Sequence, residues 1–229
     1  MQTVSDLDRY RDLVLPIYNY AEADRLAAVS RGTSKRWLEG YKYSRSGLVT
    51  NQPPVSTVGE RHETGGVSFV DLIEVVAISG LRRWFTHQVI RQIVFDCEAV
   101  FGTMYPLASH RFETDGREIY VRRNDVLVGL LRRKWETAWH EMLEPFLTQL
   151  DYRGELAARW YPLGRESAVV IDPEYGFGLP VIEGTGFRTE IIAERFEHEA
   201  EQEIADDLSL SVVQIQHALR FELARRKAA

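Results

Sequence analysis

Six cations fall between Tyr20 and Leu48: Arg25, Arg31, Lys35, Arg36, Lys42 and Arg45, against only Glu22, Asp24 and Glu39. Lysine and arginine grip phosphate oxygens, and arginine, lysine and short hydroxyl side chains read base edges. Arg31, Thr33, Lys35 and Arg36 are spaced to share the outer side of one short helix, with the hydroxyls of Ser30 and Ser34 beside them. Lys42, Tyr43 and Arg45 follow at once, where phosphates would run. Ser30, Arg31, Thr33, Ser34, Lys35, Arg36, Lys42, Tyr43 and Arg45 are therefore the candidate DNA-binding residues.

Other chemistry is poorly supported. His62, His87, His110, His140, His198 and His217 are scattered, and His140-Glu141 lacks the second histidine of a zinc helix. Glu197, Glu199, Glu201 and Glu203 alternate, which on a helix spreads them around a solvated face. Cys97, the single cysteine, is flanked by Phe95 and Val100 and reads as a buried structural thiol in a helix. The glycines from Gly176 to Gly186 lack a Gly-Lys-Ser/Thr sequence and lie among Asp172, Glu174 and Glu183, so they do not form a phosphate loop. Arg132-Arg133-Lys134 beside Trp135 reads as a solvated basic loop. The expectation is no enzyme, with no catalytic residue, metal or cofactor.

The chain has 229 residues and a formal net charge of −6, which taken as a whole disfavours a nucleic-acid partner. Its distribution matters more. From Arg188 to Glu222 nine acids face three arginines, the reverse of the balance near the amino end. One cysteine excludes internal disulfides and fits a reducing cytoplasm. The amino end is acidic with no apolar leader run, and no stretch approaches the ~18 apolar residues of a membrane span, so a cytoplasmic location is expected.

The cations need elements to hold them. The stretch from Tyr20 to Tyr41 reads as two short helices at a tight turn. The first covers Ala21–Ala28, with Ala23, Leu26 and Ala27 inward. The second covers Gly32–Tyr41, with Trp37 and Leu38 inward. Val29 plugs the corner and Ser30 serves as N-cap. This is a helix-turn-helix silhouette, and equally that of a structural helical hairpin. Asp24 stands where the helices cross and a small residue is usual, Ala28 where the turn often has glycine, and Ser34 where an apolar residue is more common.

Ser44–Gly66, rich in Gly, Pro, Ser and Thr, reads as a loop or wing, with a short strand at Val49 or over 55–58. An apolar helix starts near Ser68 with Asp71 in its first turn, and Gly80 is placed to end it. A second helix covers Thr86–Phe101, ended by Gly102. This pair could touch DNA through Arg82, Arg83 and Arg91, but packing is the favoured role. His110–Glu113 and Arg117–Val121 around Asp115-Gly116 read as a β-hairpin. Strand or helix fits Val126–Leu131, a helix Glu144–Gln149, and strands fit Ala157–Tyr161 and Val169–Ile171. Gly176–Gly186 reads as tight turns. Three helices close the chain, the last capped by Ser209 or Ser211. The fold class is mainly α with small β elements: an amino-terminal helix-turn-helix, a central helical hairpin plus β-hairpin, and a carboxy-terminal strand plus three-helix module. The corresponding boundaries are 1–60, 61–150 and 151–229.

The last part resembles the family named as domain of unknown function 433. Ile171-Asp172-Pro173, Gly178-Leu179-Pro180-Val181-Ile182, Gly184-Thr185 with Arg188, and Glu203-Ile204-Ala205 before the final helix carry the likeness. Gly186 departs from it, since the family usually has arginine directly after the threonine. The front half resembles VapB-type antitoxins that carry this module, through Arg25-Leu26, Thr33–Trp37, Gly40-Tyr41-Lys42-Tyr43, Ser68–Glu74 and Tyr105–Ala108. The resemblance implies an antitoxin of a type II toxin–antitoxin pair that neutralises a VapC-like PIN-domain ribonuclease and represses its own operon. A homodimer on a palindromic operator is expected. Nuclease active sites of that class hold clustered carboxylates, so Arg225, Arg226 and Lys227 are the candidate toxin-binding residues. The alternative is a stand-alone helix-turn-helix regulator with no toxin.

Overall fold

A computed structural model describes residues 8–45, 48–56, 65–113 and 129–228. A 3-10 turn over Asp8–Tyr10 leads to α1 (Arg11–Val14). Two short helices follow, α2 (Tyr20–Leu26) and α3 (Thr33–Glu39), then an antiparallel hairpin of β1 (Tyr41–Arg45) and β2 (Leu48–Gln52). The stretch from Ser44 expected as a loop or wing thus enters a two-stranded ribbon, which begins at Tyr41, a residue expected to end the second helix.

α4 (Phe69–Leu81) is the central pillar. Ser68 and Asp71 form a reciprocal capping box at its start. Every residue from Phe69 to Val75 is buried, as befits a helix apolar on all sides. Even its acids are absorbed: Glu74 accepts from Ser56 Oγ and from Leu107 N. Gly80 does not end the helix. It lies within the last turn, where a Cβ would collide with the Met142 side chain. α5 (His87–Phe101) starts at Thr86, whose hydroxyl accepts from Val89 N, and stops at Gly102 with φ of 66°. Cys97 is buried within it.

The expected central β-hairpin is corrected in its first strand. Residues 110–113 are helical, the Ser109 hydroxyl accepts from Phe112 N, and Phe112 fills the core. A bulky aromatic with a local cap outweighs the apparent alternation. The Asp115-Gly116 turn and Arg117–Val121 lie outside the described residues. α6 (Gly129–Ala138) takes in Arg132, Arg133 and Lys134, so that cluster sits on a helix rather than a loop. Trp135 is fully buried in the core. The helix continues through a π-helical turn at Trp139–Leu143 into α7 (Glu144–Leu147).

Four antiparallel strands then form a sheet in chain order: β3 (Leu150–Arg153), β4 (Leu156–Trp160), β5 (Val169–Asp172) and β6 (Tyr175–Ile182). β6 runs through Gly176 and Gly178, where turns were expected, while Gly184 does stand in a turn; the strand pairs Val169 with Ile182 and Ile171 with Pro180. The glycines tolerate local left-handed backbone, and Phe177 between them shares it with φ of 58°. α8 (Thr189–Arg195), α9 (Glu201–Leu208) and α10 (Val212–Ala228) complete the chain. Ser211 caps α10, its hydroxyl accepting from Gln214 N at 3.3 Å. Ser209 instead ends α9 in a left-handed conformation with φ of 54°. A continuous apolar core runs from Tyr10 to Phe221, and α10 packs against α2, β5, β6, α8 and α9.

Candidate nucleic-acid interface

The two helices α2 and α3 are each seven residues long and meet across a turn over residues 27–32. α2 begins with a capping box between Asn19 and Glu22. Ala23, Leu26 and Ala27 are buried, as their spacing requires. Val29 is partly buried against the core and plugs the corner.

The cap of α3 is not Ser30. Gly32 occupies the N-cap position with φ of 77° and has no side chain to offer. The anion comes from the neighbouring helix. Buried Asp24 accepts from Gly32 N at 2.5 Å and from Ser34 N at 2.7 Å. A carboxylate at a helix N-terminus satisfies orphan amides and favours the helix dipole. The departure at Asp24 is therefore the device that fixes the angle between the two helices. Ala28 adopts the left-handed backbone that glycine usually supplies in such turns, with φ of 52°. Ser34, fully buried, has its amide held by Asp24.

Burial divides the candidate residues. Ser30, Arg31, Lys35 and Arg36 are exposed, and so are Lys42 and Tyr43 on β1. Thr33 and Ser34 are buried and drop out of the contact surface. They face inward because they stand four residues before Trp37 and Leu38, one helical turn along the same inner face of α3. Arg45 pairs with Leu48 in the ribbon; its side chain lies outside the described residues.

The exposed face is ordered by local contacts. Lys35 Nζ sits 3.8 Å from Glu39 and 5.7 Å from the centre of the Tyr20 ring. Tyr20 donates to Glu39, and burial together with that bond pushes its phenol up to about 12. Arg36 Nε donates to Gly32 O at 3.1 Å. Such surface pairs contribute little stability but hold long side chains in one direction. Tyr41 and Tyr43 stand two residues apart on β1, both exposed, with ring centres 6.0 Å apart. Tyr41 is a surface aromatic that the spacing of cations had not singled out. The ribbon is anchored at its base, where Arg91 donates to Gln52 at 3.3 Å and Val55 N donates to Trp37 O at 2.7 Å.

In the second hairpin, α4 with α5, Arg82 and Arg83 are exposed and Arg91 is half-buried. Arg82 donates to Phe85 O, Arg83 lies over Trp84, and Arg91 is spent on Gln52. At the other end of the chain Arg225 is half-buried. It pairs with Glu222 at 3.1 Å, lies over the Phe221 ring, and is held below the usual arginine range by burial. It is not a free cation for a partner's carboxylates, a correction that follows from its position on the inner flank of α10. Arg226 and Lys227 lie on the same helix with side chains outside the described residues.

Among the described residues no group of three or more His, Cys, Asp or Glu could hold a metal ion, and no helix is long and apolar enough to cross a membrane. Comparison with known proteins returns two families. Residues 16–92 match the family described as "Putative DNA-binding HTH domain", and residues 169–221 match "Protein of unknown function (DUF433)". Over 226 residues the chain is 27% identical to "Putative antitoxin VapB45" of Mycobacterium tuberculosis, covering 90% of this chain and 93% of that protein. It is 28% identical over 254 residues to "Uncharacterized protein Rv2308" of the same organism, covering 100% of this chain and 98% of that one. The crystal structure of Rv2018 from Mycobacterium tuberculosis shares the fold with a TM-score of 0.68 at 24% identity, over 90% of this chain and 98% of that chain. Matches to a putative DNA-binding helix-turn-helix family at residues 16–92 and to the unknown-function 433 family at 169–221 are thus joined in one chain, similar over most of its length to a protein named "Putative antitoxin VapB45".

Proposed function

We propose that this chain is the DNA-binding antitoxin of a type II toxin–antitoxin pair. α3 enters the major groove of the operator, with Ser30, Arg31, Lys35 and Arg36 toward base edges or phosphates. Lys42, Tyr43 and Arg45 on the β1–β2 ribbon follow the phosphate backbone. One copy reads only a few base pairs, so two copies act on a palindromic site and repress the operon. The remainder of the chain neutralises a VapC-like PIN-domain ribonuclease, with Arg226 and Lys227 offered to its acidic centre. The observation that carries this reading is the exposed cationic face of α3, held at a fixed angle by the buried Asp24 cap.

The DNA arm is tested by binding of duplex from upstream of the chain's own reading frame. Lys35→Ala with Arg36→Ala weakens binding across sequences and lowers the slope of log affinity against log salt by about 2. Unchanged affinity and slope contradict the assignment of α3. The toxin arm is tested by co-expression with a neighbouring frame for a small nuclease. Full neutralisation after deletion of residues 225–229 excludes the tail as the inhibitory element.

A further inference from the structure

Apolar inside and acidic at its edge, a groove lies open between α8 and α10. It encloses about 830 Å³ over a floor of Ala193, Phe196, Leu219 and Leu223. Phe196 is 45% and Leu223 57% exposed, large apolar areas for a surface with polar neighbours. Along α10 the groove runs from Gln216 to Ala224, about 12 Å at 1.5 Å per residue. The i, i+3, i+4 and i+7 anchors of a helix span about 10 Å, which fits that length. Gln216 donates to Glu201 at 2.8 Å and ties α10 to the start of α9 there. The rim has one prevailing sign. Glu197 and Glu201 line the groove, and among the described residues Arg220 is the one cation of its lining. Glu222 also lines it but is tied to Thr189 and Arg225. Arg195 does not answer the rim acids, because Glu199 and Asp207 hold it. Around the rim Glu190 and Glu194 are exposed on α8, and Glu203 and Asp206 on α9. Such a field draws cations to the edge of the groove and turns acids away.

We infer that this groove receives an amphipathic helix of a different protein, apolar on one face and flanked there by lysine or arginine. The apolar anchors of that helix cover Phe196, Leu219 and Leu223, and its cations meet Glu197 and Glu201. A second copy of this chain would set the glutamates of two rims against each other. The inference goes beyond the DNA-reading role and uses neither α3 nor Arg226 and Lys227. Its test contains no DNA, so the two readings fail separately.

A display library of alanine-based helical peptides, selected on the full chain, measures the preference. Each peptide carries leucine at i, i+3, i+4 and i+7, with every flanking position either lysine or glutamate. Selection is expected to enrich lysine at the flanks. Fluorescence anisotropy of a selected lysine peptide is expected to give a dissociation constant of about 10 µM. Leu223→Ser weakens it about 10-fold, and Glu197→Lys with Glu201→Lys does the same while shifting preference toward the glutamate peptide. Leu223 is exposed, so circular dichroism is expected to stay unchanged; Phe196→Ser probes the same floor independently. No enrichment, enrichment of glutamate, or binding unmoved by Leu223→Ser and Phe196→Ser overturns the inference, as does binding indifferent to the charge reversal. A dimer of the free chain that Leu223→Ser dissociates gives the groove to a second copy and overturns it as well.

Discussion

Asp24 is the residue on which the geometry of α3 turns. Its carboxylate holds two amides of α3, and Asp24→Ala leaves both without that partner. The expected loss is about 2–3 kcal/mol, from a missing cap and newly unsatisfied amides. Urea unfolding monitored by tryptophan fluorescence measures it, and Asp24→Asn is expected to recover part. Ala28 carries the opposite sign. Its left-handed backbone costs an alanine about 1–2 kcal/mol, so Ala28→Gly raises stability by up to about 1 kcal/mol once the entropy of glycine is subtracted. That is a rise in melting temperature of about 2–4 °C for a chain of this length.

His87, at the start of α5, links that helix to α3 and gives the contact a pH dependence. Its ring meets Trp37 edge-on with centres 5.9 Å apart, and its Nε2 is buried without a hydrogen-bond partner. Burial, then the charges of Arg82 and Arg91, push its pKa below the usual histidine value. The unfolded chain takes up this proton near pH 6.5 while the folded chain resists it. Stability is thus highest above the unfolded pKa and falls as pH drops below it toward the folded value. Urea midpoints of wild type and His87→Gln between about pH 8 and about pH 5 test this, and the variant should lose the part of the slope that starts near pH 6.5.

At the scale of elements, periodicity carried most of the fold. The buried helix from Phe69, the amphipathic helix ending at Gly102 and the three closing helices follow from apolar spacing and caps that the sequence shows directly. Caps supplied from elsewhere in the chain did not show. Nothing around Gly32 announces that Asp24 will reach it, and a serine two residues earlier is a plausible local substitute. Thr33 and Ser34 were legible by spacing, since they stand four residues before the inward Trp37 and Leu38; their hydroxyls suggested contact where the helical period places them inside. Phe112 was lost for a related reason: four residues of apparent alternation cannot reveal that one of them is needed in a core assembled from α4, α6 and the sheet. Arg225 likewise looked free because its partner, Glu222, sits one helical turn earlier and both are drawn inward.

The β1–β2 ribbon depends on one glycine. Gly40 has φ of 74°, and a Cβ there would collide with Gln52 O at the ribbon's base. Gly40→Ala is expected to cost more than about 1 kcal/mol and to misalign Lys42 and Tyr43 relative to α3. Operator affinity measured by fluorescence anisotropy should fall with the body of the protein still folded. Affinity equal to wild type would mean that the ribbon takes no part in binding.

At the scale of the whole molecule, charge is segregated along the chain rather than mixed. A net charge of −6 conceals a cationic face on the amino-terminal helix-turn-helix and an acidic carboxy-terminal module. In the proposed DNA-binding role, duplex DNA is drawn to the first and repelled by the second, which would orient the protein before contact. The most direct measurement is amide hydrogen exchange of the full chain with and without duplex from upstream of its reading frame. Slowed exchange confined to residues 28–52 is the expected result, with residues 189–222 unchanged apart from any pairing of copies already present without DNA. Protection that appears on the acidic helices and spares α3 and the ribbon would contradict a DNA-reading role for the amino-terminal unit.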